Sequence, residues 1–306
     1  MAVEYWQMVC CAPNEIDSWT IHLDGVAALV KQASFNDALK TVNPRPHLQY
    51  YFISIVRYFL VQGIMPPELL DWSPDRIPGA KPDQFPTICL LDILIRFMKL
   101  HSSIRDNPDP DSRMAVSSAL LCEAELEAWE KELPEKWKFS LKQSGDYQRT
   151  FNGLYMIYND VWASRDLNHY FWARLKVNEM IVRHLSRIET PTLSEIQQRQ
   201  EALDTISLMA TYICAGAASQ MGAFGCKIPS MGLTQMPSLP PLNGVFMLMF
   251  PLAVAGGAVG AGEVHEWVLG TLQKIGQTMG IRRALEMIPT LKQIRERKMR
   301  ELNIVR

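Results

Sequence analysis

The sequence has few signs of β-structure. Alternating apolar and polar runs joined by Asn-Gly or Asp-Gly turns predict hairpins, and such runs are nearly absent from the 306 residues. Helical periodicity, with apolar residues recurring every three to four positions, covers most of the chain instead. The predicted fold class is therefore all-α, with about eight to ten helices in an irregular bundle or solenoid-like array. We expect a single domain over residues 1–306.

The common catalytic and nucleotide-binding motifs are also missing. No G-x-x-x-x-G-K-[ST], no G-x-G-x-x-G after a strand, no H-E-x-x-H and no G-x-S-x-G occurs. The glycine-rich stretch GGAVGAG lies inside an apolar run rather than after a strand, so it favours close helix packing over phosphate binding. We expect no cofactor.

Histidines and cysteines are not arranged as metal ligands. No histidine lies three or four residues from another, whereas metal sites need several ligands at such spacings. Glu263 and Glu266 flank His265, but acids in the first turn of a helix commonly complement its dipole. The six cysteines form no C-x-x-C pair and no signal peptide precedes them. The sequence predicts no metal and a reduced, intracellular location, cytoplasmic or nuclear.

Neither a membrane nor a nucleic acid is an expected partner. The uncharged stretch Leu242–Gly262 is long enough to cross a bilayer, but Pro251 interrupts it and no basic flank anchors it. It is interpreted as a buried core helix. The net charge is −1, and the basic residues of Arg282–Arg306 interleave with apolar ones. That pattern predicts a solvated amphipathic helix rather than a direct nucleic-acid contact.

One segment combines aromatic and polar residues in an unusual way. If Tyr158–Leu175 and the residues just before it form one helix, six side chains share a stripe: Tyr155, Tyr158, Trp162, Arg165, His169 and Trp172. A core helix is the plain interpretation. The mixture of aromatic and polar side chains in this stripe favours a pocket, because hydroxyl, indole, guanidinium and imidazole groups all need hydrogen-bond partners when buried. Met247 and Phe250 of the Leu242–Gly262 helix are predicted to complete the pocket, with the proline-rich 227–244 loop as a lid.

Several segments resemble the C-terminal regulatory domain of fungal zinc-cluster transcription factors. SWTIHLDGVAALVKQ looks like that family's W-x-x-H-x-x-G-A-x-x-L segment, and ELEAWEKELPEKWKF is similar to its L-x-x-W-x-x-x-L-P-x-x-W segment. YNDVWASRDLNHYFWARLKVNE matches the family's aromatic helix, and FMLMFPLAVAG resembles its late L-x-W-P-L segment, with Phe250 in place of Trp. The residues that carry these matches are Trp19, His22, Gly25, Ala27, Leu29, Leu126, Trp129, Leu133, Pro134, Trp137, Tyr158, Asp160, Trp162, Asn168, Tyr170 and Arg174.

The resemblance implies a helical domain that binds effectors or partners, and it leaves a homodimer open. The family's zinc cluster needs six closely spaced cysteines ahead of a coiled coil, and this chain has neither. Leu167 replaces the second Trp of the aromatic helix, and Phe171 follows Tyr170 where the family has Arg. If the chain is complete, the expectation is a relative that cannot bind DNA in the family's manner.

Two main hypotheses follow from the sequence. In the first, the protein holds a small, apolar metabolite in a helical pocket. In the second, the pocket is catalytic and serves as a cofactor-free cyclase or isomerase of a fungal natural-product pathway, using shape, water exclusion and hydrogen bonding. The catalytic groups would then be His169, Tyr158, Asp166 and Arg165, which would donate a proton, accept a proton or polarise the substrate. A third reading, a regulatory domain acting as a dimerisation module, applies if residue 1 is not the native start.

Overall fold

The computed structural model describes residues 45–60, 65–70, 72–73, 85–159, 161–221 and 242–301. Within these ranges eight helices have 15 residues or more, and the β-structure is one small two-stranded sheet, which confirms the predicted all-α class. The helices are α1 (Arg45–Leu60), α2 (Pro67–Leu70), α3 (Phe85–Asp106), α4 (Ser112–Lys131), α5 (Val161–Leu185), α6 (Leu193–Gln220), α7 (Leu242–Gly256), α8 (Gly262–Met279) and α9 (Arg282–Glu301). A 3-10 turn (Glu135–Trp137) and the strands β1 (Phe139–Gln143) and β2 (Leu154–Tyr158) lie between α4 and α5.

Some predictions fall on other parts of the chain. The 227–244 loop predicted as a lid lies outside the described residues, and so do the resemblance residues Trp19, His22, Gly25, Ala27 and Leu29.

The chain divides into two compact units. The first contains Met1–Pro110 and Glu125–Trp129, and the second contains Asp111–Ala124 and Glu130–Arg306. The expected single domain stays a prediction. In the first unit α3 has a nearly continuous apolar core face, and the Trp129 indole N–H donates to the carbonyl of Pro86 over 2.7 Å. All predicted site residues belong to the second unit.

Helix α6 forms the centre of the second unit, where it packs against α5, α7, α8 and β2. It begins with a capping box, because Thr192 Oγ1 accepts from the Glu195 N–H over 3.2 Å and Glu195 Oε2 accepts from the Thr192 N–H over 2.8 Å. Its last turns, Ala215–Gln220, are buried and consist mainly of small residues, which allow neighbouring backbones to approach closely.

The β1–β2 hairpin corrects the predicted helix. Strands β1 and β2 pair antiparallel with Phe139 opposite Tyr158, so Tyr155 and Tyr158 lie on a strand and α5 begins only at Val161. Asn152 and Gly153 have φ values of 52° and 77°, and a tight turn with two left-handed central residues favours Asn-Gly. The Asn152-Gly153 dipeptide was therefore a sequence signal for a turn at this position. The apolar residues after it fit a helical stripe equally well, which is why the helix was predicted.

The apolar stretch near residue 250 is a core helix, as predicted. Val245, Leu248 and Leu252 of α7 are fully buried, and the helix continues through Pro251 to Gly256. Within the described ranges a different helix, α6, is long and apolar enough to cross a bilayer. In the most apolar 18-residue part of α6, 61% is buried inside the protein. Core helices of soluble proteins are often equally long and apolar.

Helix α9 is amphipathic, as predicted, and a buried lysine anchors it. Lys298 Nζ donates to the carbonyl of Gly257 over 2.9 Å and forms an ion pair with Glu179, which also binds Lys176 over 3.2 Å. Burial lowers the pKa of Lys298 to about 8 although Glu179 opposes the change. Burial works against the ionised Glu179 as well, but Lys176 and Lys298 lower its pKa to about 2.

Replacing this lysine should destabilise the second unit strongly. We expect Lys298→Met to lower the free energy of unfolding by about 3–5 kcal/mol, because it leaves a buried carboxylate short of one partner. Urea unfolding followed by circular dichroism would measure the loss. Lys292→Met makes the same change at an exposed position of α9 and should be close to neutral. Equal effects of the two substitutions would contradict the anchoring role.

Candidate functional site

Helix α5 carries most of the predicted site residues and is buried on nearly all sides. Trp172, Phe171 and Leu167 are fully buried, as is usual for such residues. The same helix also buries polar side chains, and each of these needs a partner inside the protein. They are Ser164, Arg165, Asp166, Asn168, Arg174 and Asn178.

Helix α4 supplies the partners for one side of α5. Arg174 forms an ion pair with Glu123, with 2.7 Å between Nε and Oε1, and its Nη1 donates to the Tyr170 hydroxyl over 3.1 Å. The Tyr170 hydroxyl donates to Glu130 Oε2 over 2.7 Å. Burial raises the pKa of Tyr170 so that the hydroxyl keeps its proton. This network packs α5 against α4.

Two of the predicted catalytic residues bind each other. Arg165 Nε donates to Asp166 Oδ1 over 2.8 Å and Nη2 approaches the same oxygen at 2.7 Å, while the two side chains are only 5% and 0% exposed. The positive charge of the Arg165 guanidinium is therefore balanced by Asp166 inside the protein. Asp166 is the acidic partner in this ion pair and has no contact with solvent.

His169 is a neutral imidazole with a defined tautomer. The Trp172 indole N–H donates to His169 Nδ1 over 3.0 Å, so Nδ1 carries the lone pair and the ring proton lies on Nε2. Burial of the ring, reinforced by the positive charge of Arg165, lowers the pKa of His169 well below 6.5. The Trp172 ring also meets Phe250 of α7 edge-on, with 5.2 Å between centroids.

Tyr158 stands apart from that group, at the end of β2. It is 1% exposed, and its hydroxyl donates to the sulfur of Met156 over 3.2 Å. A β-carbon at Gly216 would come within 2.3 Å of the Tyr158 oxygen, so the glycine makes the position of this hydroxyl possible. Met156 and Tyr158 share the buried face of β2, and Tyr155 lies on the opposite face.

The six residues therefore do not form one stripe. The structure brings together Arg165, His169, Trp172 and Phe250, and it places Tyr158 against α6. Tyr155 is half-buried on the other face of β2, and Met247 is half-buried on α7. The side chain of Trp162 lies outside the described residues.

A pair of buried amides joins α5 to α6 in this region. Asn168 Nδ2 donates to Gln220 Oε1 over 2.9 Å, and the residues are 1% and 6% exposed. Asn168 Oδ1 and Gln220 Nε2 have no hydrogen-bond partner in the structure. Reversing both amides would exchange the atoms but would still leave one acceptor and one donor unpaired.

The amide pair lies beside Tyr158. The position that a β-carbon of Gly216 would occupy is 2.3 Å from the Tyr158 oxygen and 3.6 Å from Gln220 Nε2. The Tyr158 hydroxyl therefore takes the space that a side chain at residue 216 would fill. Sequence reasoning used Asn168 only as a motif residue and overlooked Gln220. The available signal was one amide ending the small-residue run AGAASQ, at 215–220.

Metal ligands do not cluster within the described parts of the chain, where no group of three or more His, Cys, Asp or Glu side chains could hold an ion. The Nδ1 atom of His265 lies 2.6 Å from the carbonyl oxygen of Gly256, and Glu263 accepts from Asn152 over 3.2 Å. These two residues therefore connect α8 to α7 and to the hairpin turn.

Comparison of the chain with protein-family models, with curated proteins and with solved structures gives no match. The resemblance to the regulatory domain of fungal transcription factors stays a prediction from sequence motifs.

The neutral state of His169 predicts a pH dependence. Its pKa is lower in the folded than in the unfolded chain, so the unfolded chain binds more protons and stability is lost as the pH falls below about 6.5. Burial also lowers the pKa of His184, to about 4, so that residue contributes over the same window. We expect His169→Gln, which keeps an acceptor for Trp172, to reduce the loss of stability between pH 7 and pH 5.

Urea unfolding across this range would measure the effect of His169→Gln. The double variant His169→Gln/His184→Gln should show the smallest slope of stability against pH. A slope for His169→Gln equal to that of the unsubstituted protein would show that His169 is not held neutral.

Contact between Gly216 and Tyr158 can be tested by a double-mutant cycle. Alanine in place of glycine stabilises a helix interior by about 1 kcal/mol, but the added methyl here overlaps the Tyr158 hydroxyl and should cost about 1–3 kcal/mol. We therefore expect Gly216→Ala to destabilise the protein in chemical unfolding. In a Tyr158→Phe background, which removes the hydroxyl, the same change should be neutral or stabilising. Additive effects would rule out this contact.

Proposed function

We propose that this protein binds a small, largely apolar metabolite beside the Asn168–Gln220 amide pair. The observation that carries the proposal is one buried acceptor, Asn168 Oδ1, and one buried donor, Gln220 Nε2, left without hydrogen-bond partners. Each unsatisfied group costs about 1–3 kcal/mol of stability. A bound molecule that satisfies both would recover that cost.

The surroundings support a ligand that is mainly hydrocarbon. Tyr158 and the glycine at 216 adjoin Gln220, while the aromatic pair Trp172–Phe250 covers another part of α5. Small-molecule sites typically combine such apolar and aromatic walls with a few polar groups that orient the ligand. The competing explanation is a buried water, since a site with two polar partners is the minimum that holds one.

The proposal includes the scaffold implied by the sequence motifs, a helical protein that resembles the regulatory domain of fungal transcription factors. Asn168, Tyr170 and Arg174 of the aromatic-helix motif are buried in α5, and Trp129 and Trp137 of the preceding motif are buried as well. Structural roles for these residues are compatible with a shared scaffold. They do not specify a ligand, which rests on the amide pair.

The catalytic alternative has one observation in its favour. His169 is neutral with its proton on Nε2, so in an active site it would act as a hydrogen-bond donor that polarises a carbonyl, and not as a general base. Arg165 and Asp166 are engaged with each other, and the Tyr158 hydroxyl donates to Met156. A cofactor-free cyclase or isomerase reaction would therefore rely on His169 and on the shape of the site.

Binding can be tested with a panel of lipophilic metabolites, several of them natural-product intermediates. A ligand present at a hundred times its dissociation constant should raise the free energy of unfolding by about 2.7 kcal/mol, visible as an increase in Tm. Calorimetry should then give one ligand per chain. If no member of a broad panel raises the Tm, the proposal fails.

The same mixtures, followed by mass spectrometry and chromatography, separate binding from catalysis. A binding protein returns each ligand unchanged, whereas a cyclase or isomerase converts one of them into a product of equal mass and different retention. Loss of that conversion in His169→Phe, with binding retained, would favour the catalytic alternative.

A further inference from the structure

Resting on the proposed function, we infer that the recognised group of the ligand is a neutral cis-amide, such as a lactam. Its carbonyl would accept a hydrogen bond from Gln220 Nε2, and its N–H would donate to Asn168 Oδ1. The two protein atoms are the unpaired halves of amides that already share one hydrogen bond.

The hydrogen-bonding capacity of the pair selects this class of ligand. Whichever way the two amides are oriented, they offer one donor and one acceptor, both neutral. An ester, lactone or ether has only acceptors and leaves the amide oxygen unpaired, while an ammonium group has only donors and leaves the amide nitrogen unpaired. A carboxylate would bring a charge into a buried position whose nearest polar groups are uncharged amides.

The two unpaired atoms belong to different amides. A ligand group that carries a donor and an acceptor side by side therefore fits them better than a ligand with a single polar atom. In a cis-amide, N–H and C=O lie side by side and point the same way, so one rigid group can serve both protein atoms. A single hydroxyl or a water must reach both atoms through one oxygen, and this difference is what the experiment exploits.

Three matched probes test the inference. A δ-valerolactam with an alkyl chain, its N-methyl derivative and the corresponding δ-lactone keep the same apolar body while the N–H is present, blocked or absent. By calorimetry or by the change in Tm, we expect the lactam to bind about tenfold or more tightly than either analogue, because each analogue leaves a buried acceptor unpaired. An alkyl cyclohexanol of similar size tests the single-hydroxyl alternative and should bind as weakly as the analogues.

Substitutions in the amide pair test the two hydrogen bonds separately. Gln220→Glu keeps the shape and the acceptor for Asn168 Nδ2 but replaces the donor with an acceptor, so it should weaken the binding of all three probes, which share the carbonyl, while the lactam stays the tightest because its N–H still donates to Asn168 Oδ1. Asn168→Leu/Gln220→Met removes both polar groups, so it should bind all three probes equally while its Tm stays the same or rises. The matched control Gln200→Met changes an exposed glutamine of α6 and should keep the preference.

The outcomes separate this inference from the proposed function. Equal binding of lactam, N-methyl lactam and lactone by the unsubstituted protein would overturn the amide recognition while leaving metabolite binding in place. Tight binding by the cyclohexanol alone would assign the pair to a hydroxyl. Absence of binding by every probe and every member of the metabolite panel would overturn both. If the double variant does not fold, Gln220→Glu decides the matter, because unchanged affinity for all three probes would overturn the inference.

Discussion

Helix α5 is buried along most of its length although it carries arginine, aspartate, asparagine and histidine side chains, and this combination constrains the whole second unit. A buried polar group without a partner costs free energy, so every neighbour of α5 has to supply donors or acceptors. Glu123 and Glu130 of α4 bind Arg174 and Tyr170, and Asp166 binds the adjacent Arg165. These contacts account for the position of α4 beside α5 and for the neutralisation of the buried charges.

The contact between α5 and α6 follows a different rule. Small residues in the last turns of α6 allow β2 and α5 to approach, and Gly216 leaves room for the Tyr158 hydroxyl. The hydrogen bond between Asn168 and Gln220 joins the two helices, but one polar atom of each amide stays without a partner. A pair of leucines would fill the same space without this cost. Retention of two half-satisfied amides is therefore the feature of the fold that asks for a functional explanation.

The two halves of the predicted site have different roles. Arg165 pairs with Asp166, and Trp172 donates to His169, so the polar groups that first indicated a pocket have partners within α5. Burial and the charge of Arg165 keep His169 neutral by lowering its pKa. The proposed ligand contacts lie one helical position away, at Asn168, and on the facing helix. Adjacent positions on a helix point about 100° apart, and a one-residue shift is enough to separate a packing face from a binding face.

Apolar periodicity determined much of this protein by itself. It established the all-α class, the buried character of α7 and the amphipathic character of α9, because the period of burial depends on residues close in sequence. Tertiary structure decided the rest. The residues around Tyr155 fit a helix or a strand equally well, and only pairing with β1 selects the strand. Likewise, Asn168 and Gln220 are separated by 52 positions, and no local pattern reveals that their amides meet or that two of their atoms stay unpaired.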